Sequence, residues 1–240
     1  MKNIKKLMAG LLVTTALFTT ACGNDSEEKS VQNQNDTKAV AQAQSSSAVN
    51  QNVSENNKTL IVYFSYGENA DLPDGVDASS RASIQLTDDG VVGNTGVIAR
   101  MIQKDTNGEI ISLKTAEKYS ADYDEAVQAG KAEKESNARP ALATHIDNID
   151  NYDTIFVGYP NWWSDMPMAM YTFFEEYDLS GKKIIPFNTS GGSGLSNTVN
   201  EIKSLEPNAT VEDGITISGN SVQSAQSQVD SWLKDLGYNN

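Results

Sequence analysis

One histidine, His145, and one cysteine, Cys22, are all that this 240-residue chain offers of the two most versatile reactive side chains. A serine–histidine hydrolase would have to rely on His145, in "ALATHIDN", and nothing in the pattern sets it beside a nucleophile. Ser193 in "GGSGL" approaches a Gly-x-Ser-x-Gly elbow, but Leu195 fills the last position. The acidic run "DNIDNYD", 147–153, lacks the spacing of a calcium loop. Met166, Met168 and Met170 read as core and lid packing, because a copper site wants histidine or more methionine nearby. Without a convincing nucleophile, metal set or general base, any chemistry here has to come from a bound cofactor.

The stretch "YPNWWSDMPM", 159–168, suggests what such a cofactor looks like. Neighbouring side chains on extended backbone point to opposite sides, so Trp162 and Trp163 do not both fit one core. A tryptophan covers roughly 150–250 Å², and leaving one wet forfeits on the order of 4–6 kcal/mol of gross burial. A flat apolar ligand would cover it.

The elements that position these residues alternate. Thr59–Ser65, Glu109–Leu113, Thr154–Tyr159, Lys183–Asn188 and Gly214–Ser218 read as short buried strands. Helices are expected over 95–105, 121–136, the segment after Pro167 with Met170, Phe173, Phe174 and Tyr177 on one face, 195–205 and 222–236. This order is that of a doubly wound α/β fold, a five-stranded parallel sheet with helices on both faces. Ligands bind such sheets outside the carboxyl ends of the strands.

Three loops fall there: Ser65 and Tyr66 with "GNTG" at 93–96 after a long excursion, the tryptophan pair, and "NTSGGSG" at 188–194. With the strands ahead of them, "IVYFSY…GNTG", "IFVGYPNWW" and "IPFNTSGGSG" resemble the three flavin-binding loops of the flavodoxin family, across essentially all of 58–240. The resemblance implies a flavodoxin-like FMN-binding domain. Ser65, Gly93, Asn94 and Thr95 match most of its phosphate loop, with Tyr66 beside them. Pro160, Asn161, Trp162 and Trp163 match the loop against the flavin ring, and Thr189, Ser190, Gly191, Gly192, Ser193 and Gly194 the loop along the ring's other edge. Trp163 is the expected stacking partner. Backbone amides and hydroxyls hold a phosphate without Lys or Arg.

One departure stands out. Residues 67–92 interrupt the phosphate loop, and the family's second hydroxyl position falls on Val92. Either one phosphate contact is lost, or Tyr66 or a residue of the excursion replaces it. The excursion is either a hairpin over the site or a solvated flap. The implied function is electron transfer to a partner protein or small acceptor. The alternatives are an NAD(P)H-dependent reductase of quinones or other small acceptors, and a lipoprotein holding another ligand on the same fold.

Residues 1–22 read as an export signal: Lys2, Lys5 and Lys6, an apolar run, and "LFTTAC", which resembles a lipobox ending at Cys22, with an atypical Thr19. Of the 35 residues in 23–57, 18 are Asn, Gln or Ser and none is aromatic, the composition of a disordered tether. The expected location is therefore extracytoplasmic, held to the membrane only through a lipid on Cys22. The folded segment 58–240 carries 27 acidic and 13 basic residues, which argues against nucleic acid as a partner.

Overall fold

A computed structural model of the chain describes residues 58–72, 83–87 and 90–238. The expected signal segment, Cys22 and the tether lie outside these residues, as does the middle of the excursion.

The first strand, β1 (Thr59–Phe64), is apolar at almost every position and buried throughout, because both its faces are covered. Leu60, Val62 and Phe64 enter one core, and Ile61 and Tyr63 enter the other. A four-residue helix, α1 (Tyr66–Asn69), follows, and then a hairpin of β2 (Ile84–Thr87) and β3 (Gly90–Gly93). From the hairpin the chain runs directly into α2 (Asn94–Thr106), β4 (Glu109–Leu113) and α3 (Tyr123–Ser136). After β5 (Thr154–Pro160) come α4 (Met168–Glu176), β6 (Lys183–Ser190) and α5 (Thr198–Leu205). The chain closes with β7 (Thr210–Val211), β8 (Ile215–Ser218) and α6 (Gln226–Asp235).

The main sheet is parallel, in the order β4-β1-β5-β6, with β7 and β8 both alongside β6. Counting β7 and β8 as one position, this is the 2-1-3-4-5 order, whose direction reverses between β1 and β5. Buried residues of α2 and α6 pack on one face, and those of α3, α4 and α5 on the other. The expected helix over 195–205 starts only at Thr198, and the expected 222–236 helix is a 3-10 turn (Gly219–Ser224) followed by α6. The end of the excursion pairs as a hairpin, while residues 73–82 and 88–89 of it lie outside the described residues.

The expected single fifth strand is broken, and β6 explains why. Thr210 donates to the Lys182 carbonyl and Glu212 to the Ile184 carbonyl, each at 2.9 Å, so even-numbered residues of β6 face this edge. Pro186 comes next and has no N–H to offer the ladder. The edge strand parts there. A Cβ on Gly214 would lie 2.5 Å from the Pro186 carbonyl oxygen, so the chain passes only because residue 214 has none. Gly214→Ala is expected to cost about 1–3 kcal/mol, read as a lower urea midpoint with an unchanged slope; an unchanged midpoint would mean that this edge has room to spare.

Candidate functional site

The three loops expected to converge do so. A cleft of about 230 Å³ opens where β1, β5 and β6 end, and Ser65, Tyr66, Asn94, Thr95, Pro160, Asn161, Trp162, Trp163, Thr189, Ser190 and Gly191 line it. Four other expected residues do not. Gly93 lies beneath the wall, where a Cβ would sit 1.5 Å from the Ser65 hydroxyl oxygen, so only glycine fits. Gly192, Ser193 and Gly194 turn back over the end of β6, because Gly192 and Gly194 take φ of +142° and +63°. The cleft also uses Ser83, Gly219 and the α3 residues Tyr123, Ala126 and Val127, all missed by the sequence reading. A helix face contributing to a wall built from the loops of other elements leaves no local signal.

At one end the cleft is made of hydroxyls and amides. The Thr95 and Thr189 hydroxyls share a hydrogen bond of 2.9 Å, joining α2 to β6. Asn94 N–H donates to the Ser83 carbonyl at 2.9 Å, and Gln85 Nε2 to Asn94 Oδ1 at 2.7 Å. Gly93 N–H donates to Glu68 Oε2 at 3.1 Å, and the Tyr63 hydroxyl to Glu68 Oε1 at 3.2 Å. Burial, and then the Glu68 charge, push the Tyr63 hydroxyl up to about 12, so it stays protonated. Among the described residues no Lys or Arg lines the cleft.

The other end is aromatic, and its backbone is not extended as the sequence reading assumed. Trp162 and Asp165 exchange backbone hydrogen bonds of 2.8 and 3.0 Å across Trp163 and Ser164, whose φ angles are +55° and +61°. Two positive φ values in a two-residue loop make a type I′ turn, which normally uses Asn and Gly. Side chains hold it closed. Lys134 Nζ donates to the Trp163 carbonyl at 2.8 Å and pairs with Asp165 at 3.1 Å, while the Tyr171 hydroxyl and Met166 N–H donate to Asp165 Oδ1.

This turn separates the indoles. Trp162 packs edge-on against Phe64 and Tyr119, with ring centroids 5.4 and 5.2 Å away. Trp163 remains 44 % exposed at the cleft. Its Nε1 donates to the Val127 carbonyl at 3.1 Å, and Lys131 Nζ lies 5.5 Å from its ring centroid. Behind Trp162, the Tyr119 hydroxyl donates to Glu133 Oε2 at 3.0 Å. Burial raises the Glu133 carboxyl above its ordinary value and the Tyr119 hydroxyl well above its own.

Between the two ends, Asn161 Nδ2 and Asn188 Nδ2 both donate to the Gly194 carbonyl, at 2.9 and 2.8 Å. That pair of bonds ties the β6 loop to the end of β5. The Oδ1 atoms of both asparagines are buried with no partner among the described residues. An acceptor left so costs about 1–3 kcal/mol, and on the cleft wall Asn161 is an acceptor awaiting a donor. Among the described residues there is no cluster of His, Cys, Asp and Glu able to hold a metal, and no helix long and apolar enough to cross a membrane.

The family model for flavodoxin matches residues 89–236. The chain belongs to the flavodoxin family. Within the flavodoxin fold it is similar to a flavoprotein from Bacteroides uniformis, 28 % identical, covering 74 % of this chain and 98 % of that one with a TM-score of 0.58. A flavoprotein from Bacteroides eggerthii is 24 % identical, covering 72 % and 97 %, with a TM-score of 0.53. A flavoprotein from Lactobacillus acidophilus, crystallised in complex with FMN, is 20 % identical, covering 71 % and 99 %, with a TM-score of 0.50. No curated protein matches.

Gly130 tests the seat of Trp162. Alanine in mid-helix is normally favoured over glycine by about 1 kcal/mol. Here its Cβ would lie 2.8 Å from Trp162 Cε3. Gly130→Ala in α3 is therefore expected to reverse the usual sign and destabilise by about 1–3 kcal/mol in denaturant unfolding. A gain in stability would show that the indole is not seated there.

Proposed function

We propose that this flavodoxin-family chain binds FMN in the cleft and passes electrons to a partner protein or small acceptor. The observation that carries the reading is the shape of the cleft's chemistry: an exposed indole at one end, an unmatched buried acceptor in the middle, and hydroxyls with a helix start at the other. A flavin is a flat ring with one ring N–H, on a chain ending in phosphate, and these residues fit it. Trp163 would lie against the ring, a contact worth about 0.5–1.5 kcal/mol beyond burial. Asn161 Oδ1 would accept a ring N–H. Ser65, Asn94 and Thr95, at the start of α2, would hold the phosphate, where the helix dipole favours negative charge.

When bound, the flavin supplies reversible redox chemistry that no side chain here supplies. The protein's own residues set the conditions for it. The tryptophan turn and the β6 loop exclude water from the ring. No Lys or Arg is among the residues that line the cleft, so negative charge added to the ring would find no cation on the wall. The same reading places the domain outside the cytoplasm, carried on residues 23–57 and anchored through lipid at Cys22.

FMN added to the full-length protein is expected to give a yellow complex with quenched flavin fluorescence, and a midpoint potential below that of free FMN. Trp163→Ala is expected to weaken binding about 3- to 30-fold while leaving far-UV circular dichroism intact. Protein that stays colourless through gel filtration with FMN would end the proposal; a potential at or above that of free FMN would remove the electrostatic part alone. For the anchor, Cys22→Ser is expected to abolish labelling by radioactive palmitate and release the protein from the membrane fraction.

A further inference from the structure

Val92 stands where the family's phosphate loop has its second hydroxyl, and it is buried in the core, so residue 92 cannot supply that contact. The hairpin shows what stands near it. β2 and β3 pair antiparallel with Ile84 opposite Gly93, so the residue before β2 comes to rest beside the first residue of α2. That residue is Ser83. Its carbonyl accepts the Asn94 N–H at 2.9 Å, and it lines the cleft together with Ser65, Asn94 and Thr95.

Several donors here already have protein partners. The Thr95 hydroxyl is engaged with Thr189, the Gly93 N–H with Glu68, and the Asn94 N–H with Ser83 itself. Ser65 is 1 % exposed and lines the cleft. A hydroxyl on the cleft wall beside the start of α2 is placed to meet an oxyanion. Where no Lys or Arg lines the wall, a phosphate depends on amides and hydroxyls, and each further hydroxyl counts.

We propose that Ser83, carried in by the returning strand of the insertion, is the second phosphate-binding hydroxyl of this cleft. This rests on the flavin reading above and adds to it a specificity-determining residue outside the family's own loop. The insertion is then part of the binding site rather than a break in it: the segment that displaces one hydroxyl returns another. The hairpin is held in register for this by side chains as well as by its ladder. Gln223 Nε2 donates to Gln85 Oε1 at 2.8 Å, and Gln85 donates in turn to Asn94, which fixes β2 to both the start of α2 and the turn before α6.

The test compares FMN with riboflavin, the same ring without phosphate, by fluorescence titration of the full-length protein. Ser83→Ala keeps the carbonyl that accepts from Asn94 and removes the hydroxyl alone. It is expected to weaken FMN about 10- to 100-fold, the range for one hydrogen bond to a charged group, and to leave riboflavin within about 3-fold. Ser83→Thr is expected to restore FMN affinity. An alanine variant that binds FMN as the parent does, or loses both flavins equally, overturns the assignment. So does a parent that binds both flavins equally well, although the flavin reading then stands. A parent that binds neither flavin removes that reading and this assignment with it.

Discussion

Trp162 is held edge-on between Phe64 and Tyr119, over a glycine of α3 whose missing side chain makes the room, and most of the cleft follows from that packing. Phe64 is the last residue of β1, Tyr119 follows β4, and Gly130 lies mid-way along α3. One indole thus joins three segments distant in sequence. Because its backbone is pinned there, the chain must reverse within two residues to reach α4, and the reversal carries Trp163 outward. Non-glycine residues at positive φ cost roughly 1–2 kcal/mol each. The bonds from Lys134, Tyr171 and Met166 that converge on the turn oppose that cost.

The β6 side of the cleft is organised differently, by polar groups. The Gly194 carbonyl takes two side-chain amides, Ser190 Oγ accepts from Gly194 N–H at 3.1 Å, and Tyr159 and Thr198 share a hydrogen bond of 2.6 Å beneath. These bonds engage both asparagine amides as donors and leave their acceptors unmatched, so the polarity of the loop is one-sided. A ligand presenting a donor is favoured at Asn161, and one presenting only acceptors is not. On the flavin reading, the aromatic turn would select a flat ligand and the asparagine clamp would set its orientation.

Acidity looks at first like an obstacle to binding a phosphate. On the flavin reading, helix-start dipoles would offset it. Glu68 is occupied by the Gly93 N–H and the Tyr63 hydroxyl, which spread its charge, while the start of α2 presents partial positive charge without a cation. Hydroxyls then provide directional donors.

Much of this was legible in the order of residues alone. Apolar runs of five to seven residues alternating with 3.6-period segments specify a parallel sheet with covered faces, because burial on both sides leaves no other use for them. The sheet in turn requires its loops to share one edge, so Ser65, Thr95, Trp163 and Thr189 were identifiable as neighbours. What tertiary structure alone decided was how those loops close. Nothing local says that Trp163 and Ser164 adopt positive φ, that Gly194 turns away to receive two asparagines, or that Pro186 splits the edge strand opposite it. Ser83 and the α3 wall were invisible for the same reason: each reaches the cleft through pairing or packing with residues far along the chain. Such contacts are set by the summed burial of the whole core, which no short window of sequence contains.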